Sequence, residues 1–366
     1  MLGSEWWSTF RSDCPTESRR DFNRRVLWSW TTMSDTLSVL IDQDVKPKDV
    51  LFDALDRDAS VQTDIEADED IVIEALEDVD VLVTTSRLPV TRRVLEETGL
   101  PMVAKVGTGI DNVDLEAAAE LGTTVVYTPG MNALSVAEHA VTLLLAVHRN
   151  VRPGRLALEN GKWRDEVPSA TPVTETTCGI IGFGNIGSRI ARLLGGFDVD
   201  ILAYDPYVHR IDTNLTGAEL VDLETLLESV DSLIIAAELT EETRGMIDEA
   251  ALDRLPSHAV LVNATRGPIV ETDALLDALE SGSIAGAGLD VFEEEPLPAD
   301  SPLLAFDQVV TTPHIAGSSI RARSGIVETL AGLIDDHFDG KPLPQRFVAA
   351  RPGETCLPER VRQNPF

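Results

Sequence analysis

Cysteine is scarce: Cys14, Cys178 and Cys356 are odd in number, far apart, and form no C-x-x-C pair. That spacing excludes a disulfide framework and a cysteine-based zinc site, and predicts reduced thiols in a cytoplasmic protein with no bound metal. Positive charge is scarce as well. Thirty basic residues face 62 acidic ones, a formal charge of −32, and five of the basic ones are lysines (Lys46, Lys48, Lys105, Lys162 and Lys341). A surface of that sign repels nucleic acid and anionic membrane, so neither is expected as a partner. It also strains a fold by self-repulsion; near 1 M salt the screening length falls to about 3 Å and the strain fades, so the composition predicts a salt-adapted protein. Long apolar runs are missing too. None approaches the roughly 18 residues of a membrane span.

The first 32 residues are unlike the rest, with four of the five tryptophans (Trp6, Trp7, Trp28 and Trp30). "SRRDF" at 18–22 has the look of a twin-arginine export signal. The uncharged run after it, 26–34, is short, and no A-x-A site precedes the first strand. The expectation is therefore an extension over 1–33, disordered or created by an upstream start codon with Met33 as the true start, rather than an export leader.

A chain of 366 residues exceeds one ordinary core, which predicts two domains. From Thr36 onward, short β-branched runs alternate with helical stretches, the pattern of α/β, doubly wound parallel sheets. Strands are expected at 37–41, 80–84, 103–106 and 124–127. In "NALSVAEHAVTLLLAVHRN" (132–150), Ser135 and Glu138 have capping-box spacing and predict a helix start. Positions 136–147 are apolar nearly all round, which calls for burial at a domain junction or subunit interface. A second alternating set runs from Cys178 to about Thr312, a long helix follows over 318–338, and the end from Arg351 reads as a loose tail.

"CGIIGFGNIGSRIARLL" places Gly182, Gly184 and Gly187 in G-x-G-x-x-G between a strand and a helix. The first glycine suits a tight turn, the second the approach of backbone to a pyrophosphate, and the third close helix–strand packing. Unpaired N–H groups at Asn185 and Ile186 would then hold phosphates. The next strand ends in Asp205, 18 residues beyond Gly187. There a carboxylate accepts ribose hydroxyls and repels a 2′-phosphate, which favours NAD over NADP, with nearby Arg210 keeping NADP open.

Hydride chemistry on a carbonyl needs a cation to bind and polarise the substrate and an acid to protonate the alkoxide. "VLVNATRGPIVE" ends an apolar run in Arg266, whose guanidinium forks onto a carboxylate. "AGAGLDVFEEEPLP" brings Asp290 and Glu295, and "VVTTPHIAGSS" brings His314. Histidine changes charge near neutral pH, so His314 with a carboxylate partner, Glu295, makes a competent acid–base pair.

The stretches "KVGTGIDNVDL", "NALSVAEH", "GFGNIG", "NATRGPIVE", "GLDVFEEEP" and "TPHIAG" together resemble the D-isomer-specific 2-hydroxyacid dehydrogenases, the family that includes D-3-phosphoglycerate dehydrogenase, over about 79–344. The resemblance implies a flavodoxin-like substrate domain and an NAD-binding Rossmann domain: 34–130 and 316–345 for the first, 131–315 inserted for the second, and 346–366 as a tail. It implies Arg266 orienting the substrate, Glu295 partnering the histidine, and His314 transferring the proton. NAD contacts are implied at Thr108, Asn185, Ile186, Asp205, Ala264, Thr265, Arg266, Asp290, His314 and Gly317. Backbone N–H groups near Val106 and Gly107 are implied to receive the substrate carboxylate, and 132–150 to form a homodimer interface. Ala236 and Glu238 depart from the family's common histidine and proline, and Thr85 stands where the phosphoglycerate enzymes have an arginine, although Lys105 and Arg87 are near. The reading is an NAD-dependent enzyme interconverting a small-molecule 2-keto acid and D-2-hydroxy acid. An NAD(H)-sensing, corepressor-like binding protein and an NADPH-dependent glyoxylate or hydroxypyruvate reductase stay open as alternatives.

Overall fold

The computed structural model describes residues 36–63, 65–209, 213 and 215–356. Cys14, the tryptophan-rich start and Arg210 lie outside them.

Two seven-stranded sheets organise the chain. The first contains β1 (Leu37–Ile41), β2 (Ala59–Thr63), β3 (Val81–Thr84), β4 (Met102–Lys105) and β5 (Thr124–Tyr127), all parallel in the order 2-1-3-4-5. The chain then leaves for the second sheet, built from β6 (Thr177–Ile181), β7 (Asp200–Tyr204), β8 (Glu219–Leu220), β9 (Ser232–Ile235), β10 (Val260–Asn263), β11 (Gly286–Leu289) and β12 (Val309–Thr311). Its order is 12-11-10-9-6-7-8, again parallel. Each sheet has apolar clusters on both faces, which is why the strands read as unbroken β-branched runs rather than alternating ones. Both sheets are doubly wound, and each reverses strand order once, between β1 and β3 and between β6 and β9. Ligand crevices open at the carboxyl ends of strands beside such reversals.

Four helices place the site: α1 (Ala133–His148), α2 (Val151–Glu159), α3 (Gly187–Leu194) and α4 (Ile320–Phe338). Helix α1 starts after Asn132, two residues before the expected capping box. Ser135 lies inside the helix, and its hydroxyl donates to the Ala316 carbonyl at 2.7 Å instead of to its own helix end. The apolar girth of α1 is explained by its place against the second sheet, where Val136, Ala140, Leu144 and Val147 join Ile180, Val260 and Val262 in one core. Two glycines of β11 let it lie close: a Cβ at Gly288 would stand 2.9 Å from Leu143 Cβ, and one at Gly286 would stand 3.0 Å from Val147 Cγ1. Helix α4 returns to the first sheet and packs Ile326, Leu330 and Ile334 with Val39, Val81 and Val83.

The expected loose tail is structured as far as Cys356. Strand β13 (Val348–Arg351) adds antiparallel to β5, and β14 (Glu354–Thr355) folds back on it. Without β13, β5 would be an edge with open backbone groups. Residues 348–350, short and apolar, cover it. Among the described residues no helix is long and apolar enough to cross a membrane.

Candidate active site

A cleft of about 2600 Å³ opens at the carboxyl ends of both sheets. At its second-sheet end is the glycine loop between β6 and α3. Gly182 has φ +87°, and a Cβ there would meet the Ala237 backbone at 2.6 Å. A Cβ on Gly187 would stand 2.1 Å from the Gly182 carbonyl oxygen, so this glycine is needed for packing and does not line the cleft. Gly184 differs: nothing lies within 4 Å of where its Cβ would be. That open space beside the start of α3 fits a pyrophosphate. The N–H groups of Asn185 and Ile186 have no partner among the described residues, and both residues line the cleft. Asp205, just past β7, accepts the Phe183 N–H at 2.8 Å and the Tyr207 N–H at 2.9 Å. Those bonds fix the carboxylate at the rim and leave lone pairs for ribose hydroxyls. The residues present therefore fit a dinucleotide.

On the same cleft, Glu295 and His314 meet: Nδ1 of the histidine is 2.7 Å from Glu295 Oε2, and the other carboxylate oxygen accepts the Phe292 N–H at 3.0 Å. The backbone of His314 is left-handed, φ +51°, and its N–H donates to the Asp290 carbonyl at 2.8 Å. Arg266 lies three residues past the end of β10, not at it. Asn263, the strand's last residue, forms the turn by donating to the Arg266 carbonyl at 2.8 Å and accepting from the Thr265 N–H at 3.1 Å. Gly267 permits the next step, since a Cβ there would stand 1.9 Å from the Phe292 carbonyl carbon. The Arg266 guanidinium crosses to the first-sheet side, where Nε (3.2 Å) and Nη2 (3.1 Å) both donate to Asp111 Oδ1. Burial opposes the charge of Asp111, but Arg266 beside it outweighs that and keeps the carboxyl below its usual range. In chemical terms Asp111 offers Arg266 a carboxylate of the kind a substrate would bring.

Val106, Gly107, Thr108, Ala264, Thr265 and Gly317 also line the cleft. The expected carboxylate donors need correction, however. The Val106 N–H is taken by the Thr84 carbonyl at 2.8 Å, because β4 continues its pairing with β3 for one more residue. The Gly107 N–H is taken by the Thr128 hydroxyl at 3.0 Å. Among the described residues the N–H groups of Thr108 and Gly109 take no partner, and these are the donors left for an incoming anion. Asp290 is displaced as well. It is fully buried, does not line the cleft, and spends its carboxylate on Thr312 Oγ1 (2.5 Å) and the N–H groups of Ile315 (2.9 Å) and Ala316 (2.8 Å). Burial opposes its charge, but hydrogen bonds led by His139 and Thr312 outweigh that and hold it below the usual carboxylate range. Its carboxylate supports the histidine loop. Asp111, Asn263 and Thr128 were not singled out from sequence; "ID", immediately after the G-x-G turn at 107–109, was the available signal for the first.

At the first sheet's strand reversal, buried Asp42 accepts from Arg87 Nε (2.9 Å) and Nη2 (2.7 Å) and from the Thr85 hydroxyl (2.7 Å). Lys105, also lining the cleft, is 1% exposed and donates to Ser86 Oγ at 3.2 Å. Burial pushes its ammonium down to about 7; the Arg266 charge adds to the shift, while Asp111 and Asp42 oppose it.

Residues 141–316 match the profile of the "D-isomer specific 2-hydroxyacid dehydrogenase, NAD binding domain". A glyoxylate reductase of Korarchaeum cryptofilum is 40% identical over 291 residues, 77% of this chain and 88% of that one. A D-3-phosphoglycerate dehydrogenase of Archaeoglobus fulgidus is 36% identical over 263 residues, 72% of this chain and 50% of that one. The chain thus spans about half the length of such phosphoglycerate relatives. Among solved structures, an NAD-dependent formate dehydrogenase from Staphylococcus aureus in complex with NAD superposes with a TM-score of 0.75 at 28% identity, covering 87% of this chain and all of that one. Identity of that level across nearly the whole of a relative, joined to the same two-sheet architecture, settles the kinship: the chain belongs to the D-isomer specific 2-hydroxyacid dehydrogenase family.

Proposed function

We propose that the chain is an NAD-dependent oxidoreductase interconverting a 2-keto acid and a D-2-hydroxy acid. What supports this reading is that Arg266 and the bonded pair of Glu295 and His314, from distant segments, line one cleft with the glycine loop. When bound, the nicotinamide supplies a hydride to the substrate carbonyl carbon or takes one from it. The side chains do the rest. Arg266 exchanges Asp111 for the substrate carboxylate and polarises the keto oxygen, with the Thr108 and Gly109 N–H groups as further donors. Glu295 holds Nδ1 of His314, which leaves Nε2 to donate a proton to the new alkoxide in reduction and to accept the hydroxyl proton in oxidation. Asp205 takes the ribose hydroxyls, and its charge disfavours a 2′-phosphate. Closure of the two sheets' units over the cleft would exclude water during transfer.

A substrate with a short, uncharged side chain suits the pocket better than a phosphorylated one. Arg87 is clamped by Asp42 and by the Ile65 carbonyl at 2.8 Å, so it is not offered to a second anion. Initial rates with glyoxylate, pyruvate and hydroxypyruvate, using NADH and NADPH at low and high KCl, test the whole reading. We expect turnover with NADH at least about tenfold above NADPH, since the Asp205 carboxylate would repel a 2′-phosphate. Tight NADH binding without reduction of any acid would favour an NAD(H)-sensing binding protein instead.

A homodimer through α1 and α2 is part of the same proposal. Val151 (57% exposed), Leu158 (58%) and Trp163 (69%) are large apolar groups left open along α2 and the turn after it. Leu158→Glu is expected to shift the sedimenting species from dimer to monomer; a wild-type chain that sediments as a monomer sinks the idea. Cys178 and Cys356, buried and free, suit a reducing cytoplasm as the place of action.

A further inference from the structure

His314 occupies backbone space that few residues other than glycine adopt, at φ +51°. Such a residue holds its shape only if the peptides on both sides are tied. Asp290 ties them: its carbonyl takes the His314 N–H, Oδ1 takes the Ile315 N–H, and Oδ2 takes the Ala316 N–H. What orients Asp290 lies on α1. Nε2 of His139 is 2.8 Å from Thr312 Oγ1 and 3.4 Å from Asp290 Oδ1. The Thr312 hydroxyl has one proton, and it goes to Asp290 at 2.5 Å. Thr312 must therefore accept from His139, which fixes Nε2 as the protonated nitrogen.

One turn away on the same helix, Ser135 donates to the Ala316 carbonyl at 2.7 Å. One turn further back, Asn132 lies against Gly317, where an added Cβ would stand 2.9 Å from its Nδ2. Residues 132, 135 and 139 are three and four apart, so they share one face of α1. That face bonds the loop of residues 312–317 at two points, through Ser135 and His139, and lies against it at a third, Asn132.

We infer that His139 is a positioning residue: through Thr312 and Asp290 it sets the loop that aims His314 into the cleft, with Ser135 as a second anchor on the same helix face. The inference rests on the proton-transfer role proposed for His314. His139 itself does not line the cleft and touches no reacting atom. Because α1 also packs into the second sheet's core, it gives the loop a rigid backing that a surface turn would lack.

The test compares His139→Ala with His139→Gln, whose amide keeps a donor at similar reach, in the full chain. Turnover is measured with NADH and whichever of glyoxylate, pyruvate and hydroxypyruvate the wild type reduces fastest. Hydrogen exchange is read at the amides of Ile315 and Ala316. The alanine variant is expected to lose about tenfold in kcat with KM for NADH unchanged, and to exchange those two amides about tenfold faster. The glutamine variant should recover most of both. Unchanged kcat and exchange in the alanine variant of an active enzyme would overturn this inference alone, as would a folded glutamine variant that rescues neither. A wild type that reduces none of the acids overturns the proposed function, and this inference with it.

Discussion

Replacing His314 by asparagine is expected to lower kcat for keto-acid reduction by about 10²- to 10⁴-fold, the range that positioned proton transfer supplies, with NADH affinity unchanged within about threefold. Asparagine is the informative choice because the backbone at 314 is left-handed, φ +51°. An alanine there would add strain to the loss of the imidazole, whereas asparagine enters that region comparatively readily. The loop can then keep its bonds from the Ile315 and Ala316 N–H groups to Asp290, and the change is confined to the proton-carrying ring. Stopped-flow reduction with saturating NADH and quenching of protein fluorescence by NADH separate the two quantities. Retention of more than a tenth of wild-type turnover would mean that His314 is not the proton donor. A parallel loss of NADH affinity would mean that it chiefly shapes the cofactor site.

The parts of this site legible in the sequence are those set by local backbone demands. Gly182, Gly184 and Gly187 could be given separate tasks because each task is a steric condition within one strand–turn–helix unit, and the three surroundings of their absent side chains differ in the expected way. The doubly wound class was legible for a similar reason, since strands buried on both faces leave apolar runs that no amphipathic helix needs. What escaped depended on partners far along the chain. Ser135 and Glu138 have capping-box spacing, yet Ser135 reaches across 181 residues to Ala316, and nothing near it in sequence says so. Val106 and Gly107 sit in the right turn, but the Thr84 carbonyl and the Thr128 hydroxyl already occupy their N–H groups. The bonds by which the Asp290 carboxylate holds the loop at Ile315 and Ala316, 25 and 26 residues on, were likewise not legible. The hairpin of β13 and β14 was missed because its reason for existing is the open edge of β5, more than 200 residues earlier.

Arg266→Lys is the second large effect, and it tests geometry with the charge held constant. The guanidinium presents Nε and Nη2 to one carboxylate and bonds the Thr265 carbonyl through Nη1 at 2.8 Å. It also lies in the space that Gly109 leaves empty, where a Cβ would stand 1.4 Å from Nη2. A lysine ammonium is a compact point charge that cannot make two parallel bonds to a planar carboxylate. Losing one charge-assisted bond and misplacing the other costs about 3 kcal/mol in the transition state, or roughly a hundredfold in kcat/KM for the keto acid. NADH affinity should stay nearly intact if, as proposed, the cofactor's phosphates are met by the open N–H groups of Asn185 and Ile186 rather than at 266. Gly109→Ala should produce a similar loss without touching any charge, since the new methyl group pushes the fork aside. If both changes act only through the fork, the double variant should be little worse than either single one, a coupling that independent defects would not give. Equal loss of NADH affinity and turnover in Arg266→Lys would instead assign the arginine to the cofactor cradle.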